Sequence, residues 1–213
     1  LFLEEIQPAF TVYHGETFHN LPLTDAQIDM LPPGIADADW AYRPDRRIDY
    51  PGAPELAAIV FERAMEEGFD LAASKEWPHH ENHRHSGTPH AFSFILRRIM
   101  HDKKVPTLPV IANTFFPPNQ PTAKRCFQLG EMLRRTVEDW KSDARIAVVG
   151  SGGMSHFCID EELDQRFLNA INARDREALC AMEQILLQSG SSELRNWIIA
   201  AGMLFDTELA GEV

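Results

Sequence analysis

The stretch Gly150-Ser151-Gly152-Gly153-Met154-Ser155-His156 places three glycines within four positions and a histidine shortly after them. Glycines this dense mark a backbone that turns sharply or passes very close to another group. Their spacing matches neither Gly-x-Gly-x-x-Gly nor Gly-x-x-x-x-Gly-Lys-Ser/Thr, so the turn does not read as a phosphate cradle. An imidazole, with an ordinary pKa of about 6.5, exchanges protons at neutral pH and also binds metals. His156 is therefore a candidate acid/base group or metal ligand, and a hydrogen-bonded structural histidine is the alternative.

His79, His80, His83, His85 and His90 crowd a short polar segment. The density suggests metal affinity, but the spacing fits no zinc signature such as His-Glu-x-x-His, and a histidine-rich solvent loop accounts for it equally well. His90 differs from the others because it stands at the entrance to an apolar helical run, where a fixed side chain can point into a cleft. Glu193 follows Gly190, Ser191 and Ser192 at the start of the last helical pattern. A carboxylate there is either a metal ligand or an acid favoured by the helix dipole. Tyr13 and His14 read as core residues or as a lining of the same cleft.

The elements that must position these groups alternate in type. Phe10 to Tyr13 reads as extended, and Pro22 to Pro54 as irregular. A helix is expected from Glu55 through Ala64, ended by Gly68. Phe69 to Ala73 is a short strand candidate, and Phe92, Ile95, Leu96 and Ile99 mark a second helix. Val105 to Thr114 reads as a strand with Phe115 to Pro121 as its exit. Cys126, Gly130, Leu133, Val137 and Trp140 then form a helical stripe expected to face a sheet. Arg145 to Val149 is the clearest candidate for a buried strand, with His156 delivered from its carboxyl end. Helices over 161–172 and 174–188, and a last one from Ser192, complete the chain. Strands alternating with helices predict one α/β domain with a central, mostly parallel sheet covered by helices on both faces. Ligands gather beyond the carboxyl ends of the strands in such folds.

Composition narrows the partners. The 213 residues, 44% of them apolar, suffice for the core of one substantial domain. A formal charge of -12, from 32 acidic and 20 basic residues, opposes binding to nucleic acid or to an anionic membrane surface. The clusters around Arg97, Arg98, Lys103 and Lys104, and around Lys124, Arg125, Arg134 and Arg135, read as solvated faces. Cys126, Cys158 and Cys180 are odd in number and widely spaced, which favours a reduced compartment over a disulfide framework. No apolar run reaches the roughly 20 residues of a membrane helix, and no signal sequence is evident, so a cytoplasmic location is expected.

Two longer blocks carry a resemblance. Val148-Val149-Gly150-Ser151-Gly152-Gly153-Met154-Ser155-His156 is one, and Asn113-Thr114-Phe115-Phe116-Pro117-Pro118 with Pro121-Thr122-Ala123-Lys124-Arg125-Cys126 is the other. Together they resemble the class III extradiol ring-cleaving dioxygenases, the group of the protocatechuate 4,5-dioxygenase beta subunit and gallate dioxygenases, from about Pro8 to Leu204.

The resemblance implies non-haem iron(II), dioxygen and a small aromatic diol such as protocatechuate, gallate or a methylated relative, cleaved beside its hydroxyls. It implies His156 as the acid/base histidine, His90 as a hydrogen-bonding partner of substrate or oxygenated intermediate, and Glu193 as the carboxylate ligand of iron. It also implies a homo-oligomer or a small accessory subunit. The family's two histidine ligands would precede Leu1, so the chain is expected to form the catalytic domain over 1–213 without its start and not to turn over a catechol alone. An altered site, or replacement by the His79 to His85 cluster, are the other readings. A non-catalytic binding or assembly subunit of the same fold is the alternative function, and a divalent-metal hydrolase with His156 as base a third.

Overall fold

The computed structural model describes residues 7–41, 43–77 and 87–208. The histidines at 79, 80, 83 and 85 lie outside these residues. In chain order the elements are β1 (Phe10–Tyr13), β2 (Thr17–Asn20), α1 (Asp25–Asp29), α2 (Pro33–Ala38), β3 (Ile48–Pro51), α3 (Pro54–Glu66) and β4 (Ala72–Ser74). There follow α4 (His90–Phe94), β5 (Val110–Ala112), α5 (Ala123–Asp139), α6 (Glu161–Asn172), α7 (Arg176–Cys180) and α8 (Leu194–Leu204).

The described residues fall into two compact units, one drawn from 7–11, 59–72 and 111–208 and one from the described residues within 12–58 and 73–110. In the first, α5 and α8 approach backbone to backbone. A Cβ on Gly130 would fall 2.1 Å from the Ile199 carbonyl oxygen, and one on Gly202 would fall 2.2 Å from that of Phe127. Cys126, Phe127, Leu129 and Met132 of α5 are fully buried, as are Leu194 and Ile198 of α8. α6 begins where Asp160 accepts a hydrogen bond from the Leu163 amide at 3.0 Å, and Glu161, Glu162 and Asp164 place negative charge in its first turn.

The second unit is built on aromatic packing. Tyr13, Phe18, Tyr50 and Leu96 form a buried cluster, with the Trp77 ring stacked on Tyr13 at 5.0 Å. The Tyr13 hydroxyl, inside this cluster, donates to the Thr17 carbonyl at 2.8 Å, which offsets the cost of burying it. α4 continues as a π-helical stretch, Ile95–Ile99, rather than as regular α-helix.

The expectation of a mostly parallel sheet covered on both faces is overturned. Among the described residues there are two small sheets, β4-β1-β5 and β2-β3. β2 and β3 pair antiparallel, with Thr17 opposite Pro51 and Asn20 opposite Ile48. The Asn113 amide donates to Ala9 and the Tyr13 amide to Pro109, so position rises on β1 as it falls on β5, which is antiparallel pairing. The alternation of apolar runs with helices resembled parallel crossovers, but several runs yield no strand or only a short one. Val105 to Thr114 keeps three strand residues, and Phe69 to Ala73 is displaced to Ala72–Ser74.

Arg145 to Val149 is the plainest correction. It forms no strand, and Ile146 and Val149 are 40% and 57% exposed. Apolar pattern reports what residues prefer, whereas a strand also needs a neighbouring edge. The α5 stripe expected to face a sheet packs against α8 instead, as the close approach at Gly130 requires. The stretch expected to be irregular contains α1, α2 and β3; Thr24 and Gln27 form a capping box at the start of α1.

Candidate active site

The glycine-rich turn is bound to the start of α8. The Asn196 side-chain amide donates to the Ser151 carbonyl at 2.8 Å, and the Trp197 indole N–H donates to the Gly152 carbonyl at 3.0 Å. In the opposite sense, the Gly153 amide donates to Glu193 Oε2 at 2.9 Å. Helix and turn thus exchange hydrogen bonds, and Glu193 is oriented by the exchange.

The glycines explain how the approach is close enough. Gly152 has φ +131°, and a Cβ on it would fall 2.7 Å from Glu193 Oε2 and 2.8 Å from Glu193 Cβ. A Cβ on Gly153 would fall 2.9 Å from His156 Cδ2. Glu193 and His156 therefore lie against adjacent glycines of one turn. The glycine pattern signalled a close approach in the sequence; its partners are the Glu193 carboxylate and the His156 ring.

His156 itself is exposed and has a left-handed backbone, φ +58°, with its ring edge-on to Phe157 at 5.3 Å between centroids. The preceding Ser155 is 2% exposed. Asp164 holds it by both carboxylate oxygens, accepting from the Ser155 amide at 2.9 Å and from its hydroxyl at 2.7 Å. His90 is the first residue of α4 in the second unit, exposed, with Pro89 at the cap position. Tyr13 is core, 2% exposed.

Arg195 is a fully buried guanidinium among backbone carbonyls. Its Nε donates to Pro121 at 2.7 Å, and its Nη1 to Thr114 at 3.0 Å, to Ser192 at 3.3 Å and to Leu187. Burial holds its pKa below the ordinary guanidinium value. One side chain thereby ties the Thr114 to Pro121 loop to the helix that follows Glu193. In the same loop the Asn113 side chain accepts from the Phe116 amide at 2.9 Å and donates to its carbonyl at 2.7 Å, leaving Phe115 and Phe116 exposed.

Ser155, Asp164, Arg195 and Asn196 did not stand out from sequence as functional. Asp164 looks like any acid in a first helical turn. Arg195 and Asn196 closely follow Glu193 in the sequence, but that adjacency does not say which carbonyls they reach. The Trp197 indole, too, has its role in holding the turn only through the folded structure.

Among the described residues no group of three or more His, Cys, Asp or Glu side chains is placed to hold a metal ion. Glu193 supplies one oxygen donor of the kind a facial iron site uses, and not a ligand set. Among the described residues no helix is long and apolar enough to cross a membrane.

Comparison with known proteins gives this arrangement a family. A gallate dioxygenase of Pseudomonas putida is 33% identical to the chain over 94 residues, which cover 39% of this chain and 28% of that protein. The chain thus matches well under a third of the length of that curated relative. The family model described as the catalytic LigB subunit of aromatic ring-opening dioxygenase matches residues 12–213, a span that takes in the glycine turn, His156 and Glu193. The chain belongs to the LigB family of catalytic subunits of aromatic ring-opening dioxygenases.

Proposed function

We propose that this chain serves extradiol cleavage of a catechol-type aromatic acid by dioxygen, with protocatechuate, gallate and their methylated relatives as the substrate class and iron(II) as the metal. The observation that carries the reading is the convergence of Glu193 and His156 on Gly152 and Gly153. A carboxylate and an exposed imidazole set against one tight turn are the two protein groups this chemistry asks of the segment, and the family match spans both.

Glu193 is assigned as a metal ligand. Its Oε2 is directed by the Gly153 amide, a partner that fixes the orientation of a ligating carboxylate and tunes its basicity. Iron(II), when bound, supplies the place where diol and dioxygen meet and the electron path between them. The remaining steps belong to protein groups. His156 is assigned the proton transfers, through Nε2, which adjoins the Cδ2 edge facing Gly153. Its exposure lets the ring exchange protons with solvent between turnovers. For His90 the resemblance supports a hydrogen bond to substrate. The clamp of Arg195 on Thr114 and Pro121 keeps the Phe115–Phe116 loop and the start of α8 in fixed relation.

The test is metal binding and oxygen stoichiometry of the full-length protein. Anaerobic loading should give about one iron per chain, and added catechol acid should consume oxygen in equal amount and lose its ring absorbance. Absence of bound iron together with absence of catechol-dependent oxygen uptake would identify a binding or assembly subunit instead. Turnover without oxygen consumption would identify a hydrolase.

A further inference from the structure

We propose that Asp164 is a positioning residue for His156, acting through Ser155; the proposal rests on the acid/base reading of His156. Asp164 lies in the first turn of α6, where the helix dipole alone would explain a carboxylate. The dipole does not explain its partners. Both oxygens leave the helix axis and close on Ser155, Oδ1 on the amide and Oδ2 on the hydroxyl. The Ser155 hydroxyl in turn accepts from the Asp160 amide at 2.9 Å, so the residue that caps α6 is joined to the same bracket.

The bracket ends one residue before the imidazole. Ser155 is buried, its carbonyl accepts from the Cys158 amide at 3.2 Å, and His156 between them has φ +58°. A histidine holds that sparsely populated conformation only where its surroundings determine it. The opposite side of the turn is packed closely as well: a Cβ on Gly190 would fall 2.7 Å from the Ser155 carbonyl oxygen and 3.0 Å from the Cys158 nitrogen. Gly190 lies three residues before Glu193. The turn bearing the proton carrier is therefore fixed on one side by Asp164 and on the other by the segment leading to the carboxylate. Asp164 does not touch the reacting atoms. It sets the backbone from which the ring of His156 departs, and hence where the proton arrives.

A double-mutant cycle in the full-length, iron-loaded enzyme tests this. Asp164→Asn keeps the size of the side chain but replaces one acceptor oxygen with an amide nitrogen that cannot accept from Ser155. It should lower kcat by roughly 10-fold or more while KM and iron per chain stay near wild type. Combined with His156→Ala, it should cause less than about a two-fold further loss, because its effect passes through a ring already removed. Equal loss in both backgrounds would make Asp164 merely structural and overturn the proposal. Wild-type turnover by His156→Ala would instead sink the acid/base reading on which it rests.

Should Asp164→Asn fold poorly, Ser155→Ala removes only the hydroxyl from the bracket and should shift kcat in the same direction. A second readout needs no activity. The His156 Cε1–H resonance of the metal-free protein should be a single sharp line in wild type and shifted or broadened in both variants. An unchanged line in both would overturn the proposal.

Discussion

Gly152 is the residue on which the candidate site turns, because it combines a positive φ with carboxylate contact at a distance no side chain allows. Gly152→Ala should strain the backbone by about 1–3 kcal/mol and push Glu193 aside. Iron affinity of the full-length protein, measured by competition with a chelator, should fall roughly 10–100-fold while far-ultraviolet circular dichroism is retained. Unchanged affinity would show that the contact between Gly152 and Glu193 does not govern the metal. At this scale the sequence was partly legible. Three glycines in four positions announced a close approach, and His156 and Glu193 were identifiable as groups able to hold a proton or a metal. The bracket of Asp164 on Ser155 was not, since an acid in a first turn has an adequate local explanation and its distant partners depend on how the 155–160 loop folds back.

Among the elements, α5 and α8 form the support from which Glu193 and the turn are presented. Their axes come close because neither Gly130 nor Gly202 carries a side chain. Gly130→Ala should force the pair apart and destabilise the protein by about 1–3 kcal/mol in urea unfolding. Gly34→Ala is the control: a Cβ on Gly34, in α2, meets nothing within 4 Å, so the change should be neutral or stabilising by about 0.4–1 kcal/mol. Equal effects of the two substitutions would contradict the close helix packing. Two helices were readable to their ends: α6 spans Glu161–Asn172 as its cap and acidic first turn indicate, and α3 stops just before Gly68, which has φ +73°. The helix expected over 174–188 was not: capped by Asp175, α7 covers only Arg176–Cys180, and a separate 3-10 turn follows at Gln184–Leu186. Strands were not. Arg145 to Val149 has the composition of a buried strand but stays exposed, and the antiparallel pairing of β1 with β5 depends on residues about a hundred positions apart, which no local pattern encodes.

Across the whole molecule, several of the basic residues that cluster in sequence have individual partners. Arg134 pairs with Glu138 and Asp206, Arg135 with Glu67, and Arg98, Lys104 and Arg125 lie over the rings of Trp40, Tyr50 and Phe69. The net charge of -12 disfavours a phosphate-binding face. The family match over residues 12–213 spans the turn where Glu193 and His156 meet. The division of labour between those two residues is the central claim, and one comparison addresses it directly. Full-length Glu193→Ala and His156→Ala are loaded with iron(II) under matched anaerobic conditions, and metal content and catechol-dependent oxygen uptake are measured on both. Glu193→Ala should fail to retain iron, whereas His156→Ala should keep it and lose turnover by roughly 100-fold or more. Loss of iron by His156→Ala, with iron retained by Glu193→Ala, would contradict the account.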